Sequence, residues 1–111
     1  MSAPLPPRYA QAIQEAKTRL QARFGARLHD VLLFGSYAWG RPDAESDVDL
    51  CVLITGVSHR ERGEAIEIVA EVAIERDAPL APLVWSPEDL ATRLSRELLL
   101  AEDISARGIH V

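Results

Sequence analysis

The sequence predicts an α/β domain, a small mixed β-sheet flanked by helices. Three observations carry this reading. Apolar runs of strand length stand at residues 28–34, 48–54 and 80–85. Segments with apolar residues at three- and four-residue steps lie before the first run, between the second and third, and after the third. The two patterns alternate along the chain, the order that layers helices on a sheet. A length of 111 residues fits a single domain, 1–111, which buries about two-thirds of its unfolded surface.

Pro7 suits the first turn of a helix, and Tyr9, Ile13, Ala16, Leu20 and Phe24 mark one amphipathic face up to the stop at Gly25. Residues 8–24 are therefore expected as the first helix and 28–34 as the first strand. A turn at Gly35-Ser36 follows, with a short helix expected at 37–39 and a loop at 40–45. The second strand is 48–54. Ser58 with Glu61 three residues on makes a capping box for a helix to about Arg76, whose expected apolar face is Ala65, Ile66, Val69, Val72 and Ala73. Another face of it, Glu64, Glu67, Glu71 and Glu75, is acidic.

Pro82 within the third strand predicts an edge position or a bulge. Ser86-Pro87 opens a last helical stretch, broken near Ser95 and ending at Gly108, before a short terminal strand at 109–111. Leu98, Leu99 and Leu100 cannot all face one core from a helix that turns about 100° per residue, so at least one is expected at the surface.

The charge balance narrows the function. Twelve basic against seventeen acidic residues give −5, which argues against direct nucleic-acid binding and leaves a basic partner easier to accommodate. No transmembrane run or signal segment is visible, so no membrane association and a cytoplasmic location are expected. The one cysteine, Cys51, sits in an apolar strand and is expected to pack as a small hydrophobe. His29, His59 and His110 have neither metal-ligand spacing nor a nucleophile beside them and read as surface residues.

The chemistry concentrates in Gly35 to Ile54. Aspartates at 47 and 49 are two apart at the start of a strand and point to one face. Carboxylates so close either repel or share a cation, and Mg²⁺ is the usual one. As an idle pair they would be a solvated turn. Gly35 permits close backbone approach, and Ser36 offers a hydroxyl and an amide where a helix begins, which makes a phosphate cradle as well as a helix cap. A phosphate cradle facing a carboxylate pair reads as a site for a nucleoside triphosphate. Arg41 either steadies a phosphate or is a loop cation beside Asp43 and Glu45, and Trp39 reads as packing.

These residues resemble a family. Gly35-Ser36, ten residues, then Asp47-Val48-Asp49 is similar to the signature of the DNA polymerase β-like nucleotidyltransferases, and the short chain resembles their minimal (MNT) branch. Tyr37-Ala38-Trp39-Gly40-Arg41-Pro42-Asp43 and Ser46 extend the match. The resemblance implies the nucleotidyltransferase fold, with Asp47 and Asp49 as catalytic and metal-holding residues and Gly35 and Ser36 gripping the nucleotide's phosphates. Magnesium and ATP are the implied cofactor and substrate.

The family usually places a third carboxylate on the next strand. Here that strand, 80–85, has none; Asp77 stands before it and Glu88 and Asp89 after it, so Asp77 on a shifted strand, or the partner, would have to supply the group. Stand-alone MNT proteins resemble antitoxins that adenylylate a tyrosine on a helical HEPN ribonuclease toxin, and this is the leading expectation. A non-catalytic antitoxin or adaptor with a vestigial nucleotide site is the alternative. A small-molecule nucleotidyltransferase whose acceptor pocket is built by an oligomer is the third.

Overall fold

The computed structural model describes residues 5–35, 47–96 and 99–111, the Leu99 side chain excepted. In chain order the elements are α1 (Pro7–Phe24), a 3-10 turn (Gly25–Arg27), β1 (Leu28–Phe34), β2 (Val48–Ile54), α2 (His59–Glu75), β3 (Leu80–Trp85), α3 (Pro87–Ser95), α4 (Leu99–Arg107) and β4 (Ile109–His110). The short helix expected at 37–39 and the loop at 40–45 lie outside the described residues, as does Leu98.

The four strands form one mixed sheet in the order β3-β2-β1-β4. Strand β1 is antiparallel to β2 and to β4, while β2 and β3 run parallel, joined by the α2 crossover. Because side chains alternate along a strand, the sheet has two apolar faces. On one, Val31, Leu33, Val48, Leu50, Val52 and Ile54 meet Ala12, Ile13, Ala16, Leu20 and Phe24 of α1 and Ala65, Val69 and Val72 of α2. On the other, Leu32, Phe34, Cys51, Leu53 and Trp85 meet Ala101 and Ile104 of α4, with Leu90 and Leu94 of α3 alongside. Helices therefore cover both faces, and the strands read as nearly continuous apolar runs for that reason.

Local chemistry sets the boundaries. Ser58 and Glu61 form the expected capping box on α2, and Ser86 with Asp89 forms another on α3. Pro82 does sit on an edge strand, and two residues on the Val84 carbonyl accepts from the Arg62 Nε at 3.0 Å. Strand β4, the opposite edge, has only two residues.

Two faces of α2 differ from expectation. Ile66 is 41% exposed rather than core, because it lies one 100° step round from Ala65, the centre of the buried arc. The acidic face is divided. Arg19 reaches Glu75 at 2.6 Å, Arg23 reaches Glu64 at 2.8 Å, and Arg27 grips both Glu61 oxygens at 2.7 Å, so α1 and the turn after it are laced to α2. Exposed pairs of this kind each contribute little, because water and salt screen them. Glu67 and Glu71 stay exposed and, among the described residues, meet no cation.

Gly63 stands inside α2, where a glycine costs about 0.5–1 kcal/mol relative to alanine. Among the described residues nothing lies within 4 Å of where its Cβ would be, so no packing among them requires it. Leu100 is 45% exposed, which meets the expectation that one leucine of the triplet reaches the surface. Among the described residues no helix is long and apolar enough to cross a membrane.

Candidate active site

The site forms where β1 ends and β2 begins. The register pairs Phe34 with Asp49, so the first residue beyond β1, Gly35, comes against the second acid of the pair. Gly35 has φ +76°, a left-handed conformation, and a Cβ built there would overlap the Asp49 carboxylate oxygen Oδ2 and stand 3.2 Å from its Cγ. Only glycine fits that place without moving Asp49. The close approach that the structure shows at Gly35 is to a carboxylate of the chain itself.

Asp49 is half-buried on the face shared with Phe34 and Cys51. Burial, and second the charge of Asp47, push its carboxyl above the ordinary carboxylate range. Asp47 is exposed and precedes β2 by one residue, its position fixed by the Val48 N–H donating to the Pro79 carbonyl at 2.8 Å. One end of the sheet therefore holds Gly35, Asp47 and Asp49 together. Ser36 and Arg41 lie outside the described residues.

On the neighbouring strand Ala81 is in register with Asp49. The three acids flanking β3 are placed elsewhere. Asp77 occupies the turn after α2 at φ +49°, its carboxylate 3.5 Å from Arg8 of α1, on the sheet face opposite to that of Asp49. Asp89 caps α3, and its carboxyl is held below its ordinary range first by the Ser86 backbone N–H. Glu88 is exposed in the first turn of α3. Among the described residues no cluster of three or more His, Cys, Asp or Glu gathers that could hold a metal.

Cys51 is fully buried, and burial together with the Asp30 charge pushes its thiol up to about 12, which keeps it an unreactive packing residue as expected. All three histidines are exposed as expected. Sequence reasoning missed the contact of His110 with Asp30: His110 Nδ1 stands 2.5 Å from Asp30 Oδ2 and ties β4 to β1. The residues are 80 apart in sequence, and no local signal links them.

Comparison with known proteins bears on the family and the fold. The profile of a family described as nucleotidyltransferase domain matches residues 13–106. A Methanocaldococcus jannaschii protein provisionally named protein adenylyltransferase MJ0141 is 32% identical over 76 residues, which is 68% of this chain and 77% of that protein. A solved structure provisionally described as a minimal nucleotidyltransferase superposes with a TM-score of 0.56 at 25% identity, covering 92% of each chain. Another, described as a toxin-antitoxin with AMP-PNP, has a TM-score of 0.55 at 21% identity over 86% of this chain and 68% of that one, and speaks for the fold alone. With the profile spanning most of the chain and the glycine turn set against the paired acids, the chain belongs to the nucleotidyltransferase domain family.

Proposed function

We propose that this chain transfers AMP from ATP to a protein hydroxyl, a tyrosine of a helical HEPN-type ribonuclease toxin, and thereby acts as the antitoxin in the cytoplasm. The observation that carries the reading is the packing of Gly35 onto Asp49 with Asp47 beside it. A like-charged pair, one member half-buried and raised in pKa, is suited to a divalent cation. Asp47 and Asp49 would hold Mg²⁺, which when bound offsets charge on the triphosphate. The acceptor oxygen bonds to the α-phosphorus, the bond to the bridging oxygen breaks, and pyrophosphate leaves while the hydroxyl proton passes to solvent. The Gly35-Ser36 turn would grip the outgoing phosphates, with Arg41 steadying them, and this positioning supplies much of the acceleration. The M. jannaschii relative's name and the toxin-antitoxin neighbour support the protein acceptor and the partner.

A second reading, an antitoxin or adaptor that masks its partner by binding alone, draws on the acid-free strand β3, where Ala81 stands in register with Asp49 and the resemblance leads one to expect a third carboxylate on that strand. One experiment separates the two. Labelled ATP, Mg²⁺ and the HEPN-type partner are incubated with the chain: label on the partner that disappears with Asp47→Asn and Asp49→Asn supports transfer. Masking of the partner's ribonuclease activity without label supports binding alone.

A further inference from the structure

Helix α2 carries an outer seam that the fold does not use. Gly63, Ile66, Ala70 and Ile74 recur at steps of three, four and four, so they share about 80° of the helix circumference on the side away from the core. Ile74 is 82% exposed and Ile66 41%, and the small residues between and before them are exposed as well. Large and small side chains alternate along the seam as knobs and holes do at a helix-helix contact. Gly63 is the telling residue. It weakens α2, and among the described residues nothing approaches within 4 Å of where its Cβ would stand, so the backbone is left open to approach from outside at this point.

The borders of the seam define the visitor. On one side are Glu67 and Glu71, the members of the acidic face that α1 leaves unpaired. On the other, Ile66 runs into a groove of about 390 Å³ at the sheet edge, lined also by Pro82, Leu83 and Trp85. The cations of that groove are engaged: Arg62 donates to the Val84 carbonyl and to Asp89, and Arg93 lies over the Trp85 ring at 4.6 Å. Beside the middle of the seam the charge left unmet among the described residues is negative, from Glu67 and Glu71, while Arg60 stands at its N-terminal end, three residues before Gly63. Two copies of this chain, each at −5, would set glutamate against glutamate there.

We propose that the α2 seam docks an amphipathic helix of another protein, which seats bulky apolar side chains over Gly63 and Ala70 and sets lysines or arginines against Glu67 and Glu71. The proposal does not depend on the transferase reading, since the seam uses none of the residues at the nucleotide site.

The test uses the whole chain and three labelled synthetic helical peptides, followed by fluorescence anisotropy. One peptide has a leucine seam flanked by lysines, one the same seam flanked by glutamates, and one the lysines with its leucines scattered round the helix. The lysine-flanked seam should bind about tenfold or more tighter than either of the others. Ile74→Asp and Gly63→Leu should each weaken it by roughly tenfold, and Glu67→Lys with Glu71→Lys should invert the preference toward the glutamate-flanked peptide. Both apolar-seam positions point to open space, so the variants should keep the native melting transition, and ATP titration should be unchanged in all of them. Absence of saturable binding by the lysine-flanked peptide, or equal binding of the scattered one, overturns the proposal. So does a concentration-dependent dimer in sedimentation that Ile74→Asp dissolves, which would give the seam to a second copy.

Discussion

Gly35 and the Asp49 carboxylate stand so close that a single methyl group on Gly35 would overlap Oδ2. Gly35→Ala therefore meets two penalties, a left-handed φ that costs an L residue about 1–2 kcal/mol and a displaced carboxylate. The variant should unfold at lower denaturant and bind Mg²⁺-ATP about tenfold or more weakly, a loss of about 1.4 kcal/mol or more. Titration calorimetry and urea unfolding check both halves. Unchanged nucleotide affinity would detach the glycine turn from the site.

Asp49 should trade stability for binding. Its folded pKa is raised by burial and by Asp47, so the stability tied to this group is full below the ordinary carboxylate range and declines as pH rises through the raised folded value. Asp49→Asn stays neutral and should melt above the wild type at neutral pH, with the difference closing in acid. It should also lose the metal-dependent binding of ATP. A variant that melts lower than wild type at neutral pH would contradict the electrostatic account.

Glu61 gives the opposite sign. The Arg27 guanidinium first, and then the Ser58 backbone N–H, hold its carboxyl down to about 2. The contribution of Glu61 to stability is then present above its ordinary value of 4.5 and is lost as pH falls from there toward about 2. Glu61→Gln keeps a capping group but removes the charge, so the gap between wild type and variant melting temperatures should narrow across that interval. A gap constant with pH would place the role of Glu61 in capping alone.

Gly63→Ala should raise stability. The helix gains about 0.4–1 kcal/mol from the restricted unfolded chain, worth about 4 °C in melting temperature, and the added Cβ meets nothing within 4 Å. Differential scanning calorimetry checks it. A fall in melting temperature would mean that the glycine has a use inside the fold.

The strands at 28–34, 48–54 and 80–85 were legible because each is mostly apolar and is followed within two residues by a turn or cap residue, Gly35, Gly56 or Ser86, and the structure has the same bounds. The capping box at Ser58 and the serine cap at Ser86 were legible for a similar local reason, whereas the return of Asp89 to the Ser86 N–H was not. The meeting of Gly35 with Asp49 followed from the antiparallel return of β2 on β1, and period two put Asp47 next to it. The lacing of α1 to α2 was not evident, although Arg19 and Arg23 fall four apart on α1 and Arg27 another four on, in the turn after it, a spacing that carried the signal. No such signal exists for the pairing of β4 with β1. The fates of Asp77 and Asp89 depend on Arg8 and on the α3 cap, partners that spacing does not identify.

The margins of the sheet bear on how the chain behaves at high concentration. Strand β3 offers an incoming strand a proline without an N–H and a Val84 carbonyl already taken by Arg62, while β4 presents two residues, too few to template a ladder. Growth of fibres by strand addition is closed at both sides. An ordered aggregate would first have to peel β3 from β2 or strip β4 from β1, so its nucleation should follow partial unfolding and slow with every change that stabilises the fold.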